Sequence, residues 1–364
     1  MKKLLSLFVV GVVGLFAGAN VSAMDFYTDN GWNIAMEGEF AGYALYSGNN
    51  VNYGKRWQAI GYGALGLSIE KELMSETTIG LHTALEAVPD TQYSDKEIGI
   101  SEVYLSLEGK GGRLEIGNTP NISRKIHIST PDVAIMDMDG VSGIDYILRK
   151  SDVDFLATTA INTDEDKTKV NYISPKIYGF QIAGSYIPKT ESINEFEEPE
   201  FGTMNDGFTG GIKYSYDGDF NFKFSANMAK FYDVREPNSI TSKREEYSLG
   251  ALFYRKGLQF TTSYRHISED KSIGDKSQEG YVVDGGVAYE IGPLSASLTQ
   301  RHSKLEGDTQ NREYDRMNLT ILSAKYAMMQ HLALSSGIGR IAFDGEEDEN
   351  KVGIVFVGGL VLSI

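Results

Sequence analysis

The chain has 364 residues, no cysteine and a formal net charge of −16 at pH 7. Without cysteine it has no disulfide, thiol nucleophile or cysteine-held metal. The excess of acid argues against nucleic acid as a partner, and it would draw cations toward any opening and repel anions.

Lys2 and Lys3 precede a mostly apolar run from Leu4 to Ala19, and Val21, Ser22 and Ala23 follow with small side chains. Residues 1–23 read as a secretory signal peptide, which leaves residues 24–364 as the exported chain. The apolar run is short for a membrane anchor and ends at a cleavage pattern. Losing the two lysines takes the net charge from −16 to −18. Beyond Ala23 no stretch is long and apolar enough for a spanning helix.

From Gly31 onward the period is two, which is the period of a strand. Trp32, Ile34, Met36 and Phe40 alternate with Asn33, Glu37 and Glu39. Leu65, Leu67 and Ile69 alternate with Ser68 and Glu70, and Phe220, Phe222, Phe224, Ala226 and Met228 with Asn221, Lys223, Ser225 and Asn227. Tyr281, Val283, Val287, Tyr289 and Ile291 share one face, as do Val352, Ile354, Phe356, Leu360, Leu362 and Ile364. One face of the strands is polar almost everywhere, and the chain reads as all-β.

The connections alternate in length. Short ones fall at Lys71–Ser75, Gly109–Gly112, Pro175–Lys176, Asp217–Asp219, Lys256–Gly257, Gly292 and Met328–Gln330. Longer polar ones fall at Ser47–Arg56, Pro89–Lys96, Lys189–Asn205, Asp233–Arg244, Glu269–Gln278, Lys304–Arg312 and Asp344–Asn350. A transmembrane barrel has this rhythm, with tight turns at one rim and loops at the other. The count is about sixteen strands of roughly ten residues or more, long enough to cross a membrane at a tilt. An even number closes an antiparallel barrel without an edge.

The largest irregular piece runs from Asn118 to about Lys167, after the fifth strand. A structureless segment of this size is usually functional. It carries Asp132, Asp137, Asp139 and Asp145 among Arg124, Lys125, Arg149 and Lys150. Val153, Phe155, Ala157 and Ile161 alternate, but a strand there would make the count odd, so they are assigned to the loop or to an extension of the sixth strand.

Val103–Gly109 (VYLSLEG) followed by Gly112–Asn118 (GRLEIGN) resembles the fourth and fifth strands of Gram-negative trimeric porins. Val170–Pro175 (VNYISP), Gly179, Phe180 and Tyr186 resemble the sixth strand, turn and seventh strand of that family. The resemblance extends over residues 24–364 by strand and loop order. It implies a 16-stranded antiparallel transmembrane β-barrel, a homotrimer, and a third external loop (residues 118–167 here) folded into the lumen as a constriction. Such porins set loop acids against basic wall residues, so Asp132, Asp137, Asp139 and Asp145 are the acidic candidates. Two positions depart from the family pattern. The chain ends in Ile364 where phenylalanine is common, and Glu115 stands beside Arg113 where the wall is often basic.

Basic wall candidates follow from strand parity. Outward Phe222 and Phe224 turn Lys223 inward, and outward Leu294, Ala296 and Leu298 do the same for Arg301. Outward Leu258 and Phe260 leave Arg265 inward, and outward Ile212 and Tyr214 leave Lys213 inward. A cation on the lipid face near mid-membrane costs about 2–4 kcal/mol, which favours this choice. Arg113 completes the basic set.

Trp32, Trp57, Tyr178, Tyr186, Tyr247 and Tyr326 suit interfacial girdles. The acidic stretches 195–200 and 346–349 lack ordered calcium-ligand spacing. They read as solvated surface that could meet lipopolysaccharide through cations. The five histidines, His82, His127, His266, His302 and His331, form no spaced metal pair. No nucleophile motif or phosphate loop is present. The expectation is therefore a channel without catalysis, cofactor or metal, in the bacterial outer membrane, passing ions and small hydrophilic solutes with a preference for cations. A substrate-selective channel and a closed structural or adhesive barrel are the alternatives.

Overall fold

A computed structural model describes residues 24–27, 31–48, 57–73, 76–88, 97–131, 133, 156–164, 167–188, 204–233, 242–271, 278–306, 314–344 and 351–363. The strands are β1 (Met24–Tyr27), β2 (Trp32–Gly48), β3 (Trp57–Leu73), β4 (Thr77–Val88), β5 (Glu97–Gly109), β6 (Gly112–Asn118), β7 (Thr168–Ile173), β8 (Phe180–Ile187) and β9 (Met204–Asp217). They continue with β10 (Asn221–Asp233), β11 (Ser242–Arg255), β12 (Leu258–Lys271), β13 (Gln278–Ile291), β14 (Leu294–Glu306), β15 (Tyr314–Met329), β16 (Leu332–Asp344) and β17 (Lys351–Ser363). One short helix, α1 (Ile122–Ile126), lies between β6 and β7.

Each strand from β2 to β17 pairs antiparallel with the next, and β17 returns to β2, with Ile354 opposite Gly48 and Ser363 opposite Glu39. These sixteen strands close a barrel. The short β1 pairs with β2 below that contact, Met24 opposite Met36 and Tyr27 opposite Asn33. The other edge of β2 is taken by β3. β1 and β17 therefore fill one strand position in succession. Closure gives each of these sixteen strands a neighbour on both sides, which an apolar surrounding favours.

The tight turns are explained by local chemistry. Lys256 and Gly257 both have positive φ (50° and 84°), as do Tyr178 and Gly179 (50° and 86°). Two such residues in succession make the hairpin turn whose twist matches the flanking strands.

The two faces differ sharply. One cross-strand row runs Phe222, Phe253, Phe260, Val287, Leu298, Leu322, Ile338, Phe356 and Tyr46, each opposite the next. Residues of this parity are the exposed large apolar ones, such as Leu249, Leu298 and Phe356. They mark the outside of the barrel. The opposite parity carries buried Ser225, Ser248, Ser263, Thr299 and Ser303. Tyr178, Tyr186, Tyr247 and Tyr326 are exposed, as an interfacial position requires; the side chain of Trp57 lies outside the described residues.

One sector departs from the expected polar face. Met317, Leu319 and Ile321 of β15, Ile341 and Phe343 of β16, Val355 and Val357 of β17, and Ala41 and Leu45 of β2 form a buried apolar cluster on the inner parity. A polar inner face is needed only where water meets it. These side chains pack against one another instead, so the strands can be apolar on both faces.

Candidate pore site

The segment between β6 and β7 is held against the polar face of the wall. It begins at α1, whose N-cap is Asn121. The Asn121 side chain accepts a hydrogen bond from the Arg124 N–H at 2.9 Å, which satisfies one of the free donors of the first turn. Its amide donates to the Ile161 carbonyl at 2.9 Å and also to Asp164. One side chain thus starts the helix and ties the outgoing limb to the returning one. The Ile122 N–H donates to Ser185 Oγ of β8 at 2.8 Å. Ile122 and Ile126, one helical turn apart, are both buried.

A buried carboxylate anchors α1. Glu115 of β6 is 3 % exposed and meets Lys125 Nζ of α1 at 2.5 Å and Arg113 Nε at 2.9 Å. Asn171 of β7 donates to it at 3.1 Å. Behind it, Lys169 and Asp164 form an ion pair at 3.0 Å, both fully buried.

Beyond α1 the segment follows a track of small hydroxyls on the wall. Thr130 and Thr159 both reach Ser263 Oγ of β12, at 3.4 and 2.9 Å. Thr299 of β14 donates to the Pro131 carbonyl at 2.6 Å. The Val133 N–H donates to Ser297 and the Leu156 N–H to Ser303, at 3.2 and 2.8 Å. Buried backbone donors away from sheet or helix need such partners. Gly250 of β11 makes room for the passing chain, since a Cβ there would stand 2.6 Å from the Ile128 carbonyl oxygen. On the returning limb, Leu156 packs with Ile267, Val282 and Leu305, and Ile161 with Ile187, Ala229 and Phe231.

Arg265 closes the arrangement. It is 3 % exposed, lies 2.6 Å from Glu246 Oε2, and donates to Asn162 Oδ1 at 3.1 Å and Thr163 Oγ1 at 2.9 Å. Arg244 Nε lies 2.8 Å from the other oxygen of Glu246. Arg301 grips Asp284 with two hydrogen bonds, at 2.8 and 2.7 Å.

All five basic candidates therefore stand on the inner parity, but in different surroundings. Arg113, Arg265 and Arg301 are ion-paired with wall carboxylates. Lys213 of β9 and Lys223 of β10 are half-buried on adjacent strands, opposite Ser225 and Ser215. Asp132, Asp137, Asp139 and Asp145 lie outside the described residues, as do residues 1–23, Val153, Phe155, Ile364 and the acidic stretches 195–200 and 346–349. Ala157 and Ile161 belong to no strand. The partner carboxylates Glu246, Asp284 and Asp164 were not singled out from sequence. For Glu246 and Asp284 the signal is an acid on the polar parity of a strand, which becomes specific only when the register sets a cation nearby; Asp164 lies on the segment between β6 and β7 and carries no such signal.

The match to the family model for "Gram-negative porin" spans residues 10–346. The chain belongs to the Gram-negative porins. A relative from Rickettsia bellii (strain RML369-C), described as an uncharacterized protein, is 21% identical over 379 residues, 82% of this chain and 85% of its own length. Salmonella typhi OmpF, solved in complex with daunomycin, shares the fold at a TM-score of 0.67 and 12% identity, over 94% of this chain and the whole of that one. The in-vitro folded trimer form of OmpT, an outer membrane protein of Vibrio cholerae, does so at 0.64 and 9% identity, over 92% of this chain and 99% of that one. This porin is an outer-membrane barrel by family and by architecture.

One histidine of the porin wall has a suggestive neighbourhood. His82 Nδ1 lies 2.9 Å from Ser68 Oγ, and Nε2 lies 2.8 Å from Ser106 Oγ. Glu70 approaches the same Nε2, at 3.7 Å. In a nucleophilic triad the acid holds the nitrogen opposite the nucleophile. Here Ser68 occupies that nitrogen, and both His82 and Ser106 are buried. The group reads as a hydrogen-bonded strut across β3, β4 and β5, with Tyr104 stacked on the imidazole at 4.7 Å between ring centroids.

Proposed function

We propose that this porin is a passive diffusion channel for ions and small hydrophilic solutes, with a preference for cations. The observation that carries the reading is the closed ring of sixteen strands whose exposed outer parity is apolar while much of the inner parity is polar. No energy input or reaction is needed: hydrated solutes follow their gradients through a wet lumen. The segment 118–167 is the third external loop folded into that lumen, and it narrows the passage. Its contacts with inner-parity hydroxyls on β8, β12 and β14 support this.

Cation preference rests on charge. Export with loss of residues 1–23 leaves −18, and Arg113, Arg265 and Arg301 are spent in ion pairs, so the acid excess meets little opposing wall charge. Asp132, Asp137, Asp139 and Asp145 form the acidic side of the constriction in this reading. The assembly is a homotrimer, as the trimer form of the Vibrio cholerae neighbour suggests, and it meets lipid and lipopolysaccharide on its outer face.

Planar bilayers under a potassium chloride gradient test the proposal. The expected result is discrete channel openings and a reversal potential of cation-selective sign, reduced by Asp137→Asn with Asp139→Asn. Absence of conductance would sink the channel, and a reversal potential of opposite sign would sink the preference. Native electrophoresis of unheated and heated samples tests the trimer.

A further inference from the structure

Lys213 and Lys223 differ from every other basic wall candidate. The register puts Lys213 opposite Ser225 and Lys223 opposite Ser215, so the two lysines are diagonal neighbours on the inner parity of β9 and β10. Diagonal residues of this kind lie within reach of long side chains. Among the described residues neither lysine side chain has an ion-pair or hydrogen-bond partner, whereas Arg113, Arg265, Arg301 and Lys169 are each held by a carboxylate.

The surroundings reinforce the contrast. α1 sits over Gly211, whose added Cβ would stand 2.9 Å from Ile126 Cδ1. Lys213 is the next inner-parity residue of β9 toward the tight-turn rim, one pleat below α1. Gln181 of β8, Ser215 and Ser225 are its inner-parity neighbours. Asp217, at the rim end of β9, is already paired with Lys176 at 3.3 Å. Among the described residues, no carboxylate on the inner parity of β8, β9 or β10 stands between α1 and that rim pair.

Two like charges held side by side cost folding free energy. An anion between them removes the cost and gains charge-assisted hydrogen bonds from two ammonium groups. We infer that Lys213 and Lys223 form an anion-binding step on the wall below α1, which takes small solutes carrying a phosphate or carboxylate group. The inference rests on the channel reading for its role in transport, but not for binding itself. A local cationic step inside an acid-rich pore gives anionic solutes a foothold that bulk charge denies them.

Two measurements test it. Inorganic phosphate and, separately, succinate are added to open channels at constant ionic strength, with chloride as reference. The same two anions are titrated calorimetrically into the detergent-solubilised protein, which needs no conductance. Saturable current reduction and saturable heat with either anion are expected. Lys213→Gln with Lys223→Gln should weaken both by about tenfold or more, and Lys213→Arg with Lys223→Arg should retain them. Binding heat without channel openings would defeat the channel reading and leave the anion site standing. Heat no greater than for chloride, or the same affinity in the double glutamine variant, overturns the anion site.

Discussion

Arg265 Nη2 lies 2.6 Å from Glu246 Oε2 and donates to Thr163 Oγ1 at 2.9 Å, so one guanidinium joins a wall carboxylate to the segment between β6 and β7. The planar fork of arginine suits this double duty, because its donors leave in fixed directions toward different acceptors. Parity alone would make Arg265 a charge facing the solute. The structure makes it a fastener, ion-paired with a carboxylate that Arg244 also meets.

Removal of that fastener leaves Glu246, which is fully buried, with Arg244 as its remaining cation. Arg265→Leu should therefore lower stability by about 1.5–3 kcal/mol, the worth of a hydrogen bond to a charged group, since Arg244 still pairs with the carboxylate. Arg265→Lys keeps the charge but loses the fork, and should fall between. Urea unfolding in detergent micelles, followed by tryptophan fluorescence, reads the difference. A Leu variant as stable as the parent would mean the ion pair holds nothing.

The absence of cysteine makes a second check simple. Thr159 Oγ1 and Ser263 Oγ are 2.9 Å apart, so Thr159→Cys with Ser263→Cys places two sulfurs within a small adjustment of the usual bond length of about 2.05 Å. The pair should oxidise readily, as read by thiol alkylation and mass spectrometry. The crosslink should leave unitary conductance unchanged and quiet any excess current noise introduced by Arg265→Leu. Failure of the pair to close would place the returning limb elsewhere.

At Gly117 the chain is about to leave the wall. Its φ is +141°, and a Cβ there would stand 2.3 Å from the Val103 carbonyl oxygen of the neighbouring strand. Glycine adopts this conformation without a clash. Gly117→Ala should cost a few kcal/mol and lower the yield of refolded, heat-modifiable barrel on cold gels. An unchanged yield would show that the β5–β6 edge yields more easily than its geometry suggests.

The outer face makes a fourth prediction. Leu249 is exposed near the middle of β11, and its neighbour Ser248 is buried on the other parity. Leu249→Arg should destabilise the barrel in lipid vesicles by about 2–4 kcal/mol. Ser248→Ala should cost only about 0.5–1.5 kcal/mol, the worth of one hydrogen bond, here from Asn227. Equal costs would mean the parities are reversed.

Much of the architecture is legible in the sequence. The turn at Lys256–Gly257 and the connection at Gly109–Gly112 stand where glycine and polarity put them, because turns are written in adjacent residues. The inward direction of Arg265 and Arg301 was likewise readable from the outward Phe260 and Leu298, since the strand period is two. The apolar inner sector was not: Met317 of β15 and Val355 of β17 lie far apart in the chain and meet only in the folded barrel.

Strand period, alternating connections, acidic balance and the inward parity of Lys213, Lys223, Arg265 and Arg301 are all written in the chain, because they depend on composition or on neighbours a few positions apart. Only the tertiary structure decided which charges are spent. Glu246 meets Arg265, Asp284 meets Arg301, and Glu115 meets Lys125, while Lys213 and Lys223 are left facing each other's field. Ion pairing depends on strand register and on where the long segment lies, and distance along the chain encodes neither.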